Sequence, residues 1–323
     1  MTSRFPFTSY PAGWFRVGTS SALRIGDVQS LHYFGRNLVL FRTKDGKPQL
    51  LEAHCAHLGA HLGFGGRVNG NTVQCPLHGW QWNGKGVCEA IPSEHKNLPS
   101  AKMRAWPIHE TNGQIIVWHD EHGGMPAWEL PQLPEYGHPD WLPFRFAHRW
   151  KIRSHVQEFG ENAMDMAHFP YLHDKLTASS KSLGLEVSGP VLTHHVMLRY
   201  NALGIIKLFR SDAGGPLDVT CYGLGLLLNR SMINTKIDLR YTYAFFVTPI
   251  DEEHVEMYSI LSMQKTTGWL LTRILRYLGI REGRQTIADD IPIWENKMYR
   301  PQPRLHKGDG PIMAYRHWAS QFY

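Results

Sequence analysis

Apolar and polar residues alternate in short runs from Trp14 to about Trp118. "NLVLFRT", "PQLLEAH", "TVQCP" and "QIIVWHD" set large apolar side chains between polar ones, and Gly and Asn punctuate them. A period of two broken by turn formers predicts a small antiparallel β domain over residues 13–120. The pattern then stops. "EHGGMPAWELPQLPEYGHPDWLP" is rich in Pro and Gly and has no period, so residues 121–144 read as a linker laid over the surface.

Beyond the linker the period changes more than once. A helical stretch is expected near His155 to Met166, then strands such as "PVLTHHVMLRY", "KIDLRYTYAFFVTP" and "HVEMYSILSMQ". Two further helices are expected, near Gly268 to Leu278 and Glu282 to Tyr299. The mixture predicts an α+β domain over residues 145–323, with helices packed on a mostly antiparallel sheet. No internal repeat or low-complexity tract interrupts it. In "GWLLTRILRYLG", Trp269, Leu270, Leu271, Ile274, Leu275 and Leu278 oppose Arg273 and Arg276. Burial against the sheet or another subunit is the expectation for that apolar face, ahead of contact with a membrane surface.

Composition narrows the class. A chain of 323 residues, 42% hydrophobic and 12% aromatic, can bury a large core in two domains of ordinary size. The net charge is +6, but Lys and Arg form no block or arm, which favours a solvated surface and no nucleic-acid partner. The first residues contain no apolar core of a signal peptide, and no run reaches the length of a spanning helix. A cytoplasmic protein is expected. Four Cys are too few for a disulfide scaffold, so two of them read better as metal ligands.

Those two are Cys55 and Cys75. "HCAHLGAHLGFGGRV" pairs Cys55 with His57, and "CPLHGWQWNGKG" pairs Cys75 with His78. With 19 His in the chain, a given Cys meets a His at a chosen offset roughly 6% of the time, so two such pairs are not expected by chance. Zinc is the generic reading of two Cys and two His. Zinc fingers, however, pair Cys with Cys and His with His, whereas each loop here supplies one of each. Mixed pairs fit a Rieske 2Fe-2S centre, in which one iron takes two thiolates and the other two imidazoles. Gly59, Gly65, Gly66 and Gly79 are expected in turns of positive φ that bring backbone N–H groups toward the sulfurs. His54 and His61 lie nearby, but their offsets do not repeat between the loops. They are expected beside the ligands or facing solvent. Cys88 and Cys221 are expected as buried thiols.

The stretch "CAHLGAHLGFGGRVNGNTVQCPLHGWQWNGKGVCEAIP" resembles the cluster-binding segment of Rieske non-heme iron oxygenases. Respiratory Rieske proteins carry one more Cys in each loop, where this chain has Ala60 and Leu77. The resemblance runs over nearly the whole chain. Its ends, "DDIPIWENKMYRPQPRL" and "GDGPIMAYRHWASQFY", are similar to the oxygenase components of 3-ketosteroid 9α-hydroxylases and to cholesterol 7-desaturases. It implies an all-β Rieske domain followed by a helix-grip-like antiparallel sheet domain with flanking helices. It also implies a second cofactor, a mononuclear Fe(II).

A cluster alone also suits a small electron carrier, so the remaining residues must decide. In "EFGENAMDMAHFPYLH", Glu158, Glu161, Asn162 and Asp165 fall at helical spacings on one face, and His168 continues the stripe. Pro170 should end the helix near His168, so that His173 returns through a bend. Two imidazoles and one carboxylate make the facial triad that holds ferrous iron with open positions. The carboxylate is sought in "TIADDIPIWENKMY". Asp290, followed within a helical turn by the bulky Trp294, matches the family's ligand, and Asp289 is the runner-up. The resemblance further assigns Asp165 as a bridge for electrons between subunits of a homotrimer, within the Asn162–Asp165–His168–His173 pattern.

The implied activity is O2-dependent hydroxylation or desaturation. NAD(P)H is consumed at a separate reductase, reached directly or through a ferredoxin. "GLGLLLNRSMIN" and "YAFFVTP" are apolar with few charges, which suits a steroid- or terpenoid-like substrate held by a few polar groups such as Asn229, Asn234 or Gln264. Rival readings are an O- or N-demethylase, an aromatic ring hydroxylase, a Rieske electron-transfer protein with a ligand-binding domain, and a zinc-stabilised binding module.

Overall fold

The computed structural model describes residues 4–92, 100–174, 177–201, 214–234, 238–266 and 268–323. They form two compact units. One comprises residues 10–131 with 248–252, and the other residues 4–9, 132–247 and 253–323. The expected linker is thus divided between them. It carries no helix or strand, and it does not lie wholly on the surface, because Leu130, Leu133, Glu135 and Leu142 are buried.

The described residues of the first unit form strands and one turn of 3-10 helix. β1 (Gly13–Thr19), β10 (Gln114–His119) and β9 (Ile108–Thr111) make one sheet, and β2 (Val28–Tyr33), β3 (Arg36–Arg42) and β4 (Pro48–Glu52) a second. β5 (Arg67–Asn69), β6 (Thr72–Gln74), β7 (Gln81–Asn83) and β8 (Cys88–Ala90) make the third. β3 is buried from Leu38 to Arg42 without alternation, as a strand covered on both faces must be. Its hairpin partner β2 is reached through Phe34–Gly35, both at positive φ, the geometry a two-residue hairpin loop requires. Left-handed backbone is costly for phenylalanine. Burial of the Phe34 ring, stacked 4.3 Å from His119, offsets that cost. One core of this unit gathers Phe41, Leu51, Leu62, Val73 and Trp82 around Cys55 and Cys75.

The second unit is organised by a seven-stranded antiparallel sheet. Its order is β11 (Arg145–Ile152), β17 (Val255–Met263), β16 (Leu239–Pro249), β15 (Leu226–Ile233), β14 (Gly214–Tyr222), β13 (Val191–Tyr200) and β12 (Thr177–Ser188). Among the described residues four α-helices accompany it: α1 (Val156–Met164), α2 (His168–Leu172), α3 (Trp269–Asn296) and α4 (Ile312–Ala319). This is the antiparallel sheet domain with flanking helices that the sequence led us to expect.

Three local expectations are corrected. The two helices expected after Gly268 are one helix of 28 residues, α3, which continues through Gly279 and Gly283. Glycine lowers helix propensity but keeps its N–H, and here it lets the helix approach the sheet: a Cβ at Gly283 would stand 2.6 Å from the Tyr243 ring. The helix expected to run to His168 stops at Met164, where Asp165 turns to an extended conformation with ψ of 114°. Pro170 does not end a helix but sits in the first turn of a new one, α2, where its missing N–H would have had no partner. Finally, the tail that carried only a resemblance forms α4.

Candidate active site

The two cysteine loops share one backbone design. Cys55 N–H donates to Ala60 O (2.9 Å) and Gly59 N–H to Cys55 O (2.9 Å). In the second loop Cys75 N–H donates to Trp80 O (2.8 Å) and Gly79 N–H to Cys75 O (3.0 Å). Gly59 (φ 77°) and Gly79 (φ 75°) hold the left-handed turn each loop needs. Gly66 differs from the expectation. Its φ is not positive, and it is required because a Cβ would strike the Leu62 carbonyl oxygen at 2.1 Å.

These loops segregate their donors. Cys55 and Cys75 are buried, whereas His57 and His78 stand exposed with ring centroids 4.9 Å apart. Trp80 stacks on His57 at 4.3 Å and 7°. Burial pushes the Cys55 thiol up, and the adjacent Cys75 adds to this; Trp82, wholly buried in the same core, has an indole N–H with no hydrogen-bond partner among the described residues. Sulfurs inside, imidazoles outside and an uncommitted N–H donor in the same core are a donor set that would suit a two-iron cluster. His54 and His61 are engaged elsewhere, His54 Nδ1 with Gly59 O (3.1 Å) and His61 Nδ1 with Gly63 N–H (3.0 Å). Cys88 and Cys221 are buried free thiols, and burial raises both, Cys221 to about 12.

In the second unit, His168, His173 and Asp290 each offer a donor atom, all within 4.8 Å of one another. His173 Nε2 lies 3.3 Å from Asp290 Oδ1. His168 Nδ1 donates to the main-chain oxygen of Asp165 (2.8 Å), which fixes the ring, and Asn162 Nδ2 lies 3.4 Å from its Nε2. Burial pushes His168 below its usual value, toward the neutral ring that can ligate. Asp290 is 3% exposed and its Oδ1 has no hydrogen-bond donor. An enclosed carboxylate without such a donor is costly unless a cation joins it. The donor set fits an iron(II) ion. Asp289 is turned away and accepts from Gln285 Nε2 (2.8 Å).

The helical stripe read from the sequence divides in two. Glu158 and Glu161 face away from the histidines. Arg316 Nε and Nη2 donate to Glu161 at 2.7 and 2.9 Å, and Lys297 Nζ reaches Glu158 at 2.6 Å and Glu161 at 3.0 Å. Phe159, Asn162 and Ala163 form the side of α1 that meets the metal donors. Asp165 stays partly exposed, and its Oδ1 accepts from Ala167 N–H (2.9 Å).

A cavity of about 250 Å³ opens onto His168, His173 and Asp290. Its walls follow from periodicity. The sheet contributes alternate residues, Leu227 and Asn229 on β15, then Tyr241, Tyr243 and Phe245 on β16, because side chains two apart share a face. α3 contributes Leu275, Gly279, Gly283, Ile287, Asp290 and Trp294 at helical spacing. Asn229 lines the cavity as the sequence suggested, but Asn234 and Gln264 lie outside its lining. Tyr243 and Trp294 are buried, and Tyr243 Oη, Trp294 Nε1 and Asn229 Oδ1 have no hydrogen-bond partner among the described residues, so the cavity offers polar atoms to an occupant. Sequence reasoning missed Tyr243, although the alternation in "RYTYAFF" pairs it with Phe245 on one face.

Residues 13–127 match the Rieske [2Fe-2S] domain family, and residues 117–323 match the family described as 3-ketosteroid 9alpha-hydroxylase C-terminal domain. The chain belongs to the Rieske oxygenases. It is 32% identical to a cholesterol 7-desaturase of Ciona intestinalis, over 97% of this chain and 69% of that protein. It is 30% identical to a probable 3-ketosteroid-9-alpha-monooxygenase, oxygenase component, of Rhodococcus rhodochrous, over 98% and 81%. Dicamba monooxygenase bound to dicamba shares the fold of this Rieske oxygenase, with a TM-score of 0.76 and 17% identity over 96% of each chain. As an enzyme of this family it uses a Rieske cluster and a mononuclear iron centre. No helix among its described residues is long and apolar enough to cross a membrane.

Proposed function

We propose that this terminal oxygenase hydroxylates or desaturates an apolar, fused-ring substrate of steroid or terpenoid size at an unactivated carbon. The observation that carries the reading is the apolar cavity enclosed between the sheet and α3, with the His168–His173–Asp290 donors at its wall. A small charged acid would need a cationic clamp, and among the described residues no Lys or Arg lines this cavity. The names of the two relatives, both steroid-acting, support the same class.

In this reading Cys55, His57, Cys75 and His78 hold the 2Fe-2S cluster, and His168, His173 and Asp290 hold the iron. Bound there, the iron would supply dioxygen activation. The chain's own residues supply the rest. Asp165 orients His168 through its main-chain oxygen, and its partly exposed carboxylate is available to a donor from a neighbouring subunit of a homotrimer. Asn162 stands beside His168 Nε2. Phe159 and Trp294, with ring centroids 4.5 Å apart, keep bulk water from the donors. Tyr243 and Asn229, directly paired across β16 and β15, offer a hydroxyl and an amide to an oxygen on the substrate.

Electrons come from NAD(P)H through a separate reductase, directly or through a ferredoxin, and the protein works in the cytoplasm. The test is oxygen uptake and NAD(P)H oxidation with an added reductase, against a panel of sterols, ketosteroids, polycyclic hydrocarbons and benzoate-like acids. Product from a sterol or ketosteroid is expected. Turnover of the acids alone would overturn the substrate class.

A further inference from the structure

Among the described residues, nothing covers the face of α3 opposite the cavity. Leu270 is 57% exposed, Ile274 48% and Tyr277 62%, and Leu271 beside them is 36% exposed. The sequence led us to expect this apolar stretch to bury against the sheet or a subunit. Within the single chain only its other side is buried: Leu275 is buried and lines the cavity, and Arg276 Nη1 donates to Pro143 O (2.9 Å). The side chain of Trp269 lies outside the described residues.

The stripe Leu270, Ile274 and Tyr277 continues in helical phase to Arg281 and Arg284. These two arginines, with Trp150 of β11, line a shallow pocket. From Lys265 to Arg281 the chain carries Lys265, Arg273, Arg276 and Arg281 and no acidic residue. Exposed leucine and isoleucine, a tyrosine at the margin and arginines just beyond are the ingredients of a helix that lies in the interface of an anionic bilayer. A helix placed so would sink its apolar side chains among the acyl chains and bring Arg281 and Arg284 to the headgroup phosphates.

We propose that the N-terminal half of α3 docks this enzyme on an anionic lipid surface, from which its apolar substrate is drawn. The second clause rests on the proposed substrate class; the docking does not. One helix then has lipid on one side and the substrate cavity on the other. An apolar fused-ring compound resides in the bilayer far more than in water, so a catalyst held at that surface meets it at a higher local concentration.

The experiment is sedimentation of the full-length holoenzyme with vesicles of phosphatidylcholine alone or mixed with phosphatidylglycerol, without substrate. The wild type is expected to sediment with the mixed vesicles, less with the neutral ones, and less as salt rises. Leu270→Glu/Ile274→Glu should abolish sedimentation, and Arg281→Gln/Arg284→Gln should weaken it on the order of thirtyfold. Turnover of a steroid delivered from cyclodextrin should be unchanged in both variants, while turnover of vesicle-delivered steroid falls with the loss of binding. Failure of the wild type to bind anionic vesicles overturns the proposal and leaves the oxygenase reading standing. A fall in particle mass by light scattering for Leu270→Glu/Ile274→Glu also overturns it, since a second copy would then cover this face. Equal loss of turnover on both forms of substrate would do the same.

Discussion

His173 Nε2 and Asp290 Oδ1 lie 3.3 Å apart, each side chain at most 4% exposed. One residue follows the short helix α2 and the other sits in the last third of α3, so only the folded unit brings them together. Asp290→Ala should lose the mononuclear iron and all turnover while the Rieske spectrum persists, because the two sites use separate residues. Asp289→Ala should change neither. Iron stoichiometry with electron paramagnetic resonance reads both; loss of iron in the Asp289 variant alone would reverse the assignment.

The cluster has its own signature. His57→Ala and Cys75→Ser each remove a donor that no neighbour replaces, since His54 and His61 are engaged with Gly59 and Gly63. Both variants should lose the Rieske signal. A normal spectrum in either would show that its residue is not a ligand.

Asp165→Asn should keep both metals yet slow product formation in a single turnover, because the amide changes the charge of the partly exposed side chain while the main-chain bond to His168 Nδ1 remains. Single-turnover rates equal to the wild type would remove the bridging role.

Tyr243→Phe separates binding from folding. The buried Tyr243 hydroxyl has no hydrogen-bond partner among the described residues, so deleting it should leave the melting temperature equal or higher. KM for a substrate bearing a hydroxyl or ketone should rise roughly five- to tenfold, the value of one hydrogen bond, with little effect on a deoxy analogue. An unchanged KM ratio between the two would leave the tyrosine with no part in recognition.

The ion-paired cluster beneath α1 predicts a pH effect on stability. Burial alone would raise the Glu161 carboxyl, but Arg316 and Lys297 hold it below its usual range. The unfolded chain therefore takes up that proton first on acidification. The stabilisation is complete above the ordinary glutamate range and is lost as the pH falls through it toward the folded value. Arg316→Met should cost about 3–5 kcal/mol in urea unfolding at neutral pH, and the gap from wild type should narrow in acid. A gap that stays constant with pH would contradict the pairing.

The cluster loops were the most legible part of the sequence, because Cys55, His57, Cys75 and His78 sit in two tight turns whose geometry is local. The choice between Asp290 and Asp289 depended on resemblance. Helical phase would have favoured Asp290, which shares a stripe with Leu275, Gly279, Gly283 and Trp294, but reading two helices with a gap at Gly279 lost that phase. The acidic stripe of α1 misled for a different reason. Spacing put Glu158 and Glu161 beside Asn162, and nothing local announces that Arg316 and Lys297 arrive from far along the chain to claim them. Exposure of Leu270 and Ile274 was also invisible, because a period of 3.6 marks an apolar face without saying what covers it.

Gly283 leaves the Tyr243 ring its place on the cavity wall. A methyl group there would stand 2.6 Å from the Tyr243 ring, and that ring could yield only by moving into the space a substrate would occupy or by pushing α3 off the sheet. The absent side chain therefore acts as a gauge: a homologue with alanine at this point should be confined to shorter molecules, whatever its iron ligands.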